Sequence, residues 1–491
     1  MTSLDKPDTE TVPAPVSRRR MWAILGLVIV VDALDVIDGT VTNIAAPTIA
    51  ADLDGGVSLI KWLGPAYMLA MGILLLVGGR LGDKFGQRRL FLIGIGGFTL
   101  ASALAGFAPD PVLIIIARIA QGAFGALLIP QGMAIMMKVF SPDMIAKAFG
   151  LFGPILGVSA VVGPVLAGLI IDADMLGLSW RPIFLLTIVL GLAALLAAIK
   201  LLPRDDGDRT VVIDGWASGL LGLAMLGMMY GLIEGSTNGW TAGPVASVAA
   251  GVLLFAAFAY RQRTAASPLI VPSLLKNRGF TSGMLVGLVS FIAGTGLFFV
   301  LSLFMQEGLH ASPRTAALNM VPLTAGLIVA TFAAMGGLVT KLGRTLVFVG
   351  LGISIIGSGW LLALVNHSGA DVSLWALAPA FLVIGIGTGL CYTTIPTIAL
   401  GDAKPEEAGS ASGSLTSMQQ LSTAIGSAVM ASVFFGYASS GYAHAMQVTL
   451  VVVMAATALS IPFVVLMPRR AQAEPPEEGT EGGPAPEPAA A

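Results

Sequence analysis

The sequence predicts an all-α polytopic membrane protein that is built from two similar bundles of membrane-spanning helices. Of its 491 residues, 56% are hydrophobic and only 11% are charged, whereas a soluble globular protein carries about 25% charged residues. The apolar residues fall in many runs of about 20 residues, the length that crosses a bilayer as an α-helix. Proline and glycine positions of the first half also recur in the second half. The chain therefore spans the membrane repeatedly rather than through a single anchor.

The composition excludes several classes of function. The formal net charge of −2 gives no indication of nucleic-acid binding. Cys391 is the single cysteine and excludes a disulfide within one chain, and the three histidines lack metal-ligand spacing (His310, His367 and His444). No lysine follows a glycine, so the phosphate-binding G-x-x-x-x-G-K-[ST] loop is absent. We therefore expect no ATP-driven pump built on that loop, and we expect no cofactor or metal.

Apolar runs along the chain predict fourteen transmembrane helices. Their approximate spans are 21–43, 62–79, 90–107, 111–134, 147–171, 182–202, 214–234, 243–260, 281–305, 315–338, 345–365, 373–400, 410–437 and 446–467. Glycine or proline interrupts several of these runs, so that twelve or thirteen helices are the alternative counts.

The positive charges orient these helices. With the N-terminus inside, Lys61, Arg181 and Arg314 fall outside and Arg118 falls within a span, while the rest of the 26 lysines and arginines fall inside. Basic loops stay in the cytoplasm, so we predict that both termini are cytoplasmic. Residues 1–20 form the N-terminal tail before an uncleaved first helix, and the Pro- and Glu-rich residues 468–491 form a disordered tail.

An internal repeat indicates how the helices are grouped. One proline and two glycines recur at a constant offset: Pro142, Gly150 and Gly163 in the first half, and Pro405, Gly413 and Gly426 in the second. The predicted plan is a six-helix bundle over residues 21–202 and a second one over 281–467. A linker over 203–280 carries two inserted helices between them.

Three aspartates in the first predicted helix are the main candidates for transport chemistry. Asp32, Asp35 and Asp38 are spaced three residues apart and form one slowly turning stripe. Acids within a membrane span are costly and usually functional. Neighbouring like charges and a low dielectric favour the neutral acid, so we expect this stripe to bind protons or a cationic substrate. Alternatively, Asp32 faces a wet cytoplasmic cavity and only solvates the helix.

Arg118 is the only basic residue that the sequence places deep in a span, and a buried guanidinium needs a partner. Counted from the helix ends at about 1.5 Å per residue, Arg118 lies level with Asp35, and Asp38 lies about one turn higher. We predict that a proton or a cationic substrate competes with Arg118 for the acid. A static ion pair is the alternative. Glu234, in the seventh helix, is a further candidate proton site or a wet loop residue.

A short basic segment joins the second and third helices. It reads GGRLGDKFGQRRL over residues 78–90, and glycines such as Gly79 and Gly86 permit close helix approach and a tight turn. The pattern G-x-L-x-D-x-x-G-x-R, with Asp83 and Arg88 followed by Arg89, resembles a loop of the major facilitator superfamily. The resemblance implies a latch and gate on the cytoplasmic side. A loop that only sets the topology is the alternative.

Other stretches carry the same resemblance. The segment that begins at Arg118 is similar to the helix-4 signature R-x-x-Q-G-x-x-x-A, and Asp38 with Thr40 and Asn43 resembles the helix-1 signature of the fourteen-helix drug:proton antiporter branch. The fifth helix resembles the signature that marks exporters, at Gly157, Gly163, Pro164 and Gly168. Small residues of this kind also allow close helix packing.

The resemblance covers nearly the whole chain and implies a major facilitator fold with two six-helix bundles and two inserted helices. It implies a secondary transporter driven by the proton gradient, which exports drug-like amphipathic or cationic molecules across a bacterial cytoplasmic (inner) membrane by alternating access. Its partners are then protons, a small-molecule substrate and the lipid bilayer, with no nucleic acid, and a monomer suffices. The alternatives are a carrier that exports a single metabolite or antibiotic, a proton symporter for uptake, and a non-transporting receptor or scaffold.

Overall fold

The computed structural model describes residues 17–140, 142–265, 268–401 and 407–469. Within these ranges the regular structure is helical and no strand is present, as the sequence predicts. Most of both predicted tails and Pro405 of the internal repeat lie outside the described residues.

The first half of the chain contains six long helices. Their bounds are α1 Arg18–Asp52, α2 Gly56–Phe85, α3 Gln87–Gly106, α4 Pro111–Val139, α5 Pro142–Ala173 and α6 Arg181–Leu201. Side-chain caps fix two of the starts: Ser17 accepts a hydrogen bond from the Arg20 amide at α1, and Asp110 accepts from the Val112 and Leu113 amides at α4. All six predicted runs of this half fall on these helices.

The second part of the chain contains eight further long helices. They are α7 Gly215–Asn238, α8 Ala242–Thr264, α9 Arg278–Gly308, α10 Pro313–Leu342, α11 Arg344–Ser368, α12 Leu374–Gly401, α13 Ala408–Tyr437 and α14 Tyr442–Val464. Both α9 and α10 contain a π-helical turn, at Phe304–Gly308 and Ala334–Leu338. In α10 the turn includes Gly337, whose φ of 113° disfavours any residue with a side chain.

Twelve of the helices in the described residues are long and apolar enough to cross a membrane. The other two long helices are α1, which carries Asp32, Asp35 and Asp38, and α5, of which Val158–Ala173 is apolar. Every predicted run therefore coincides with a helix. The number of helices that cross the membrane stays a prediction.

The helices are packed in two groups with α7 between them. Helices α1 to α6 contact one another, α9 to α14 do the same, and α7 packs against α2, α8 and α13. The repeat is visible in this packing. A β-carbon added to Gly163 of α5 would meet Ile37 of α1, and one added to Gly426 of α13 would meet Ile292 of α9. The pair α5 and α1 thus corresponds to the pair α13 and α9.

The two ends of the molecule are packed differently. We call the end that carries Arg18 and Arg88 the basic end, and the opposite end, which carries Asp52, the far end. At the far end one apolar core combines residues of both groups, such as Ile44 of α1 and Leu301 of α9. Toward the basic end, three apolar cores of the described residues each belong to one group. A further core runs along α7 and joins α2 to α13. The two bundles are therefore joined at the far end and along α7.

Candidate functional site

A buried ion pair between α1 and α4 forms the centre of the candidate site. Arg118 is wholly buried and donates to the carboxylate of Asp38, which is 2% exposed. The guanidinium also donates to Gln121 Oε1 at 2.9 Å and Thr42 Oγ1 at 3.0 Å, and its carbon lies 4.3 Å from the centre of the Tyr67 ring. Partners on three helices therefore fix the arginine.

Neighbouring helices complete the hydrogen bonding of this pair. The Gln121 amide donates to Asp38 Oδ1 at 3.1 Å and to Ser102 Oγ of α3 at 2.9 Å. Arg118 Nε donates to the Leu63 carbonyl of α2 at 3.2 Å. A charge pair in a low dielectric is tolerated when its remaining donors and acceptors are satisfied, and here both members have several partners.

The partner of Arg118 differs from the predicted one. Counting residues from the helix ends placed Arg118 level with Asp35, yet its ion pair is with Asp38. Side chains of an α-helix lean toward its N-terminus, and α1 and α4 run in opposite directions. At equal height the side chains of Arg118 and Asp35 lean apart, so the arginine meets the acid one turn farther along α1.

Asp35 has a neutral partner. Its carboxylate accepts a hydrogen bond from the Tyr67 hydroxyl, and the residue is 4% exposed. Gly125 of α4 provides the space, because a β-carbon at that position would lie 2.7 Å from Asp35 Oδ1. The described residues provide Asp35 with no ion pair.

Asp32 has no hydrogen-bond partner in the described part of the chain. It is 3% exposed, and neither carboxylate oxygen is hydrogen-bonded. Asp32 is therefore buried and is not solvated by a wet cavity, which was the alternative prediction. A buried carboxylate without partners is costly in its ionised form, so Asp32 is the acid of the stripe that is open to an added proton or cation.

Lys61 is a second buried cation, which the sequence analysis missed. The predicted topology placed Lys61 in a loop outside the membrane. In the structure it lies within α2, and its side chain is 0% exposed. Its amine donates to Ser236 Oγ at 3.0 Å and Thr237 Oγ1 at 2.9 Å, both on α7. The lysine lies only five residues after the start of α2 at Gly56. In the sequence it is therefore indistinguishable from a residue of the preceding loop.

Glu234 lies apart from the three aspartates. It is part of α7, and its Oε1 accepts a hydrogen bond from Asn238 at 2.6 Å. Among the described residues, no hydrogen bond joins Glu234 to Asp38 or Arg118. The described part of the chain also contains no group of three or more His, Cys, Asp or Glu residues that could hold a metal ion.

The predicted basic segment is largely helical. Helix α2 continues through Gly79 and Asp83, and the turn into α3 is made by Gly86 alone, with φ of 92°. A β-carbon at Gly86 would also lie 2.7 Å from the carbonyl oxygen of Asp205, in the linker after α6. The glycine is therefore required by both its backbone conformation and its close contact.

Asp83 and Arg88 have separate partners in this segment. Asp83 Oδ1 accepts from the Gln87 side chain at 3.2 Å, whereas Arg88 Nη2 donates to the Ile199 carbonyl at 2.8 Å. Arg89 is exposed. Asp205 was not predicted from the sequence, and its carboxylate accepts from the backbone amides of Gln87 and Arg88 at 2.6 and 3.1 Å. Asp205 thus caps the N-terminus of α3 from another segment.

The glycines of α5 contact both bundles. A β-carbon at Gly163 would lie 2.3 Å from Thr40 Oγ1 of α1, and one at Gly168 would lie 2.7 Å from the Arg314 Cα of α10. Pro164 is half-buried. The surroundings of the Gly157 side-chain position lie outside the described residues. This stretch therefore packs against the site helix on one side and the second bundle on the other.

The second bundle has an uncharged counterpart of the ion pair. By the repeat, Arg118 corresponds to Phe381 and Gln121 to Ile384. Because Ile37 corresponds to Ile292, Asp35 corresponds to Ser290. A small cavity lies here between α9, α11, α12 and α14, lined in part by Ser290, Ile384 and Thr388.

This architecture defines a membrane transporter built from two repeated bundles around a buried charged site. The chain belongs to the Major Facilitator Superfamily, whose family model matches residues 28–427. It is a transporter and not an enzyme.

Two relatives and one structure illustrate the similarity. The chain is 38% identical over 439 residues to the probable actinorhodin transporter of Streptomyces coelicolor. This alignment covers 88% of this chain and 76% of that protein. It is 34% identical over 441 residues to the puromycin resistance protein pur8 of Streptomyces alboniger, covering 88% and 86%. A crystal structure of an auto-inhibited POT family peptide transporter shares the fold, with a TM-score of 0.67 at 15% identity. The superposition covers 93% of this chain and 99% of that chain.

Proposed function

We propose that this protein exports drug-like amphipathic or cationic small molecules across the bacterial cytoplasmic membrane in exchange for protons. The observation that carries the proposal is the charge balance of α1. Three buried aspartates lie on this helix, and among the described residues only Asp38 forms an ion pair, with Arg118. In the same part of the chain, Asp35 has a neutral hydroxyl partner and Asp32 has none. A low dielectric disfavours unpaired carboxylates, so a proton or a cationic group completes the site.

The packing supports alternating access as the mechanism. The bundles share an apolar core at the far end, whereas three cores toward the basic end belong to one bundle each. Apart from the core along α7, this arrangement suits a state open at the basic end. Positive charge marks the basic end as cytoplasmic. A substrate then enters from the cytoplasm or inner leaflet and displaces a proton from Asp35 or Asp38. The bundles rock about the site and release the substrate at the far end.

The segment around Gly86 is the proposed cytoplasmic latch. Asp205 caps α3, and Lys138 of α4 lies 3.7 Å from the same carboxylate. The linker that leads to α7 is therefore attached to both α3 and α4. Release of these contacts would let the ends of α2 and α3 move when the bundles rock.

The direction of transport is proposed from the relatives. One of them is named a probable actinorhodin transporter and another a puromycin resistance protein. The glycines of α5 resemble the exporter signature and contact both bundles. Uptake with protons has no comparable support among these observations.

A single-substrate exporter is the second candidate. The relative with 38% identity is named for one compound, actinorhodin. An exporter dedicated to one product would use the same α1 acids but would ignore unrelated cations.

The test is drug–proton exchange in everted membrane vesicles. The vesicles are energised, an ethidium-like cation is added, and proton release is followed for the wild type, Asp35→Asn and Asp38→Asn. We expect cation-dependent proton release in the wild type and its loss in at least one variant. Glu234→Gln is the matched control, because Glu234 lies apart from the α1 acids.

The outcomes separate the two candidates. Proton release by the wild type that persists in both aspartate variants would contradict coupling through Asp35 or Asp38. No response of the wild type to a panel of lipophilic cations would favour the single-substrate exporter. Purified protein whose thermal unfolding shifts with the panel would restore the polyspecific candidate.

A further inference from the structure

Lys61 connects three helices that belong to three parts of the fold. Its amine donates to Ser236 and Thr237 of α7 at 3.0 and 2.9 Å. Ser236 Oγ in turn lies 2.8 Å from Ser432 Oγ of α13. The amine also lies 5.8 Å from the centre of the Phe435 ring of α13. The first bundle, the inserted helix and the second bundle therefore meet at this lysine.

The contacts on the two sides of α7 differ in strength. On the α2 side, Lys61 donates two charge-assisted hydrogen bonds to α7. Such bonds are roughly twice as strong as neutral ones. Toward α13, the hydrogen bond of α7 at this junction is one neutral hydroxyl pair, between Ser236 and Ser432. A buried ammonium also loses much more than a hydroxyl when its partners withdraw. The hydrogen bonds at this junction therefore hold α7 more strongly to α2 than to α13.

This junction lies where the bundles are closed. Nearby, Ser302 Oγ of α9 donates to the Asn43 carbonyl of α1 at 2.9 Å, which also joins the two bundles. A transporter of this fold must open the far end to complete its cycle. The contacts across α7 decide which bundle keeps the inserted helix during that opening.

We propose that Lys61 is a positioning residue that holds α7 on the first bundle, so that the far end opens between Ser236 and Ser432. Helix α7 then moves as a seventh helix of the first bundle. The proposal needs neither a particular substrate nor proton coupling, so it stands or falls separately from the proposed function.

The test uses two disulfides in a Cys391→Ser background, which removes the single native cysteine. Ser236→Cys with Ser432→Cys links α7 to α13, across a pair whose oxygens lie 2.8 Å apart. The matched control is Ile73→Cys with Gly222→Cys, which links α7 to α2, because a β-carbon at Gly222 would lie 3.7 Å from the Ile73 side chain.

Far-end opening is read from amide hydrogen exchange, followed by mass spectrometry over residues 40–50 and 309–320 of the purified full-length protein. We expect the disulfide between α7 and α13 to slow this exchange several-fold, and reduction to reverse the effect. The disulfide between α7 and α2 should leave the exchange at the level of the reduced protein. Slowing by the α7–α2 disulfide, or no slowing by the α7–α13 disulfide, would overturn the proposal.

The role of Lys61 itself is tested in the protein locked between α7 and α13. Lys61→Met keeps the side-chain length but removes the charge, so α7 loses its attachment and far-end exchange should partly recover. Lys61→Arg keeps a donor to Thr237, the α7 partner that remains in the locked protein, and should preserve the slow exchange. Size-exclusion chromatography checks that both variants are folded. Slow exchange that persists in Lys61→Met would assign the attachment to apolar packing alone and overturn the role of the lysine.

Discussion

The two bundles share their backbone packing but differ in the charge of their interiors. In the first bundle Asp38 and Arg118 form a buried ion pair between α1 and α4. In the second bundle the corresponding residues are Ala293 and Phe381, which are both buried and apolar. Close helix contacts recur in both: a β-carbon at Gly122 would meet the Tyr67 carbonyl at 2.1 Å, and one at Gly385 would meet the Leu323 carbonyl at 1.9 Å.

The comparison separates what the fold requires from what transport requires. The second bundle packs without a buried charge at this place, so the ion pair of the first bundle is not needed for the fold. Buried charges are costly unless they are paired and hydrogen-bonded. Their presence in one bundle alone indicates that the first bundle binds the transported charge and that the second supplies an uncharged wall.

The largest expected effect comes from making the first bundle resemble the second. Arg118→Phe leaves Asp38 buried without its cation and should lower stability by about 3–5 kcal/mol. Adding Asp38→Ala copies the pair Ala293 and Phe381 and should recover most of that loss, while transport stays abolished. Thermal unfolding of the purified variants and vesicle transport measure the two effects. A double variant as unstable as Arg118→Phe would contradict the comparison.

The next largest effect is expected at the pair Asp35 and Ser290. Asp35→Asn removes an acid that has no cationic partner, so cation-dependent proton release should fall by more than about tenfold, or about 1.4 kcal/mol. Ser290→Ala removes a hydroxyl that has no hydrogen-bond partner among the described residues, and its effect on stability should stay within about 0.5 kcal/mol. Equal losses of transport in the two variants would show that both bundles take part in coupling.

A smaller effect is expected at the turns that join the second and third helices of each bundle. Asp205→Ala removes the cap of α3 and should cost about 1 kcal/mol of stability. The corresponding turn at Gly343 has no side-chain cap among the described residues, and the Arg344 amide there donates to the Arg469 carbonyl at 3.1 Å. Thr340→Ala, three residues before Gly343, should leave the temperature of thermal unfolding unchanged. A neutral Asp205→Ala would remove Asp205 from the proposed latch.

The smallest effect is expected at the inserted helices. Burial disfavours ionisation of Asp214, but its hydrogen bonds from Arg261 and the Ala217 amide outweigh burial, and the pKa of Asp214 is lowered. A lowered pKa adds stability above the ordinary value of about 3.9, and this stability is lost as the pH falls through the folded value.

Asp214→Asn should therefore lower the thermal stability slightly at about pH 7, by on the order of 0.5 kcal/mol for a partly exposed pair. At about pH 3 the variant and the wild type should differ less, because the wild-type acid is then becoming protonated. Thermal unfolding at the two pH values measures this change. A difference that grows as the pH falls would contradict the assigned ion pair.

The candidate site was only partly predictable. Asp32, Asp35, Asp38 and Arg118 were found because charges inside apolar runs are rare. Lys61 was missed because a lysine near a helix end looks like a loop residue, and only the packing of α7 on α2 buries it. Tyr67, the partner of Asp35, carries no signal in the sequence, because a single tyrosine within an apolar run is ordinary.

The sequence by itself determined the all-α membrane fold, the positions of the helices and the repeat. Lipid requires long apolar helices whose backbone groups are all satisfied internally, and this requirement is local in the chain. Only the tertiary structure decided that Arg118 pairs with Asp38, that Asp205 caps α3 and that Lys61 joins α2 to α7. These contacts depend on helix direction, on the lean of side chains and on close approach at glycines, which arise only when separate helices pack together.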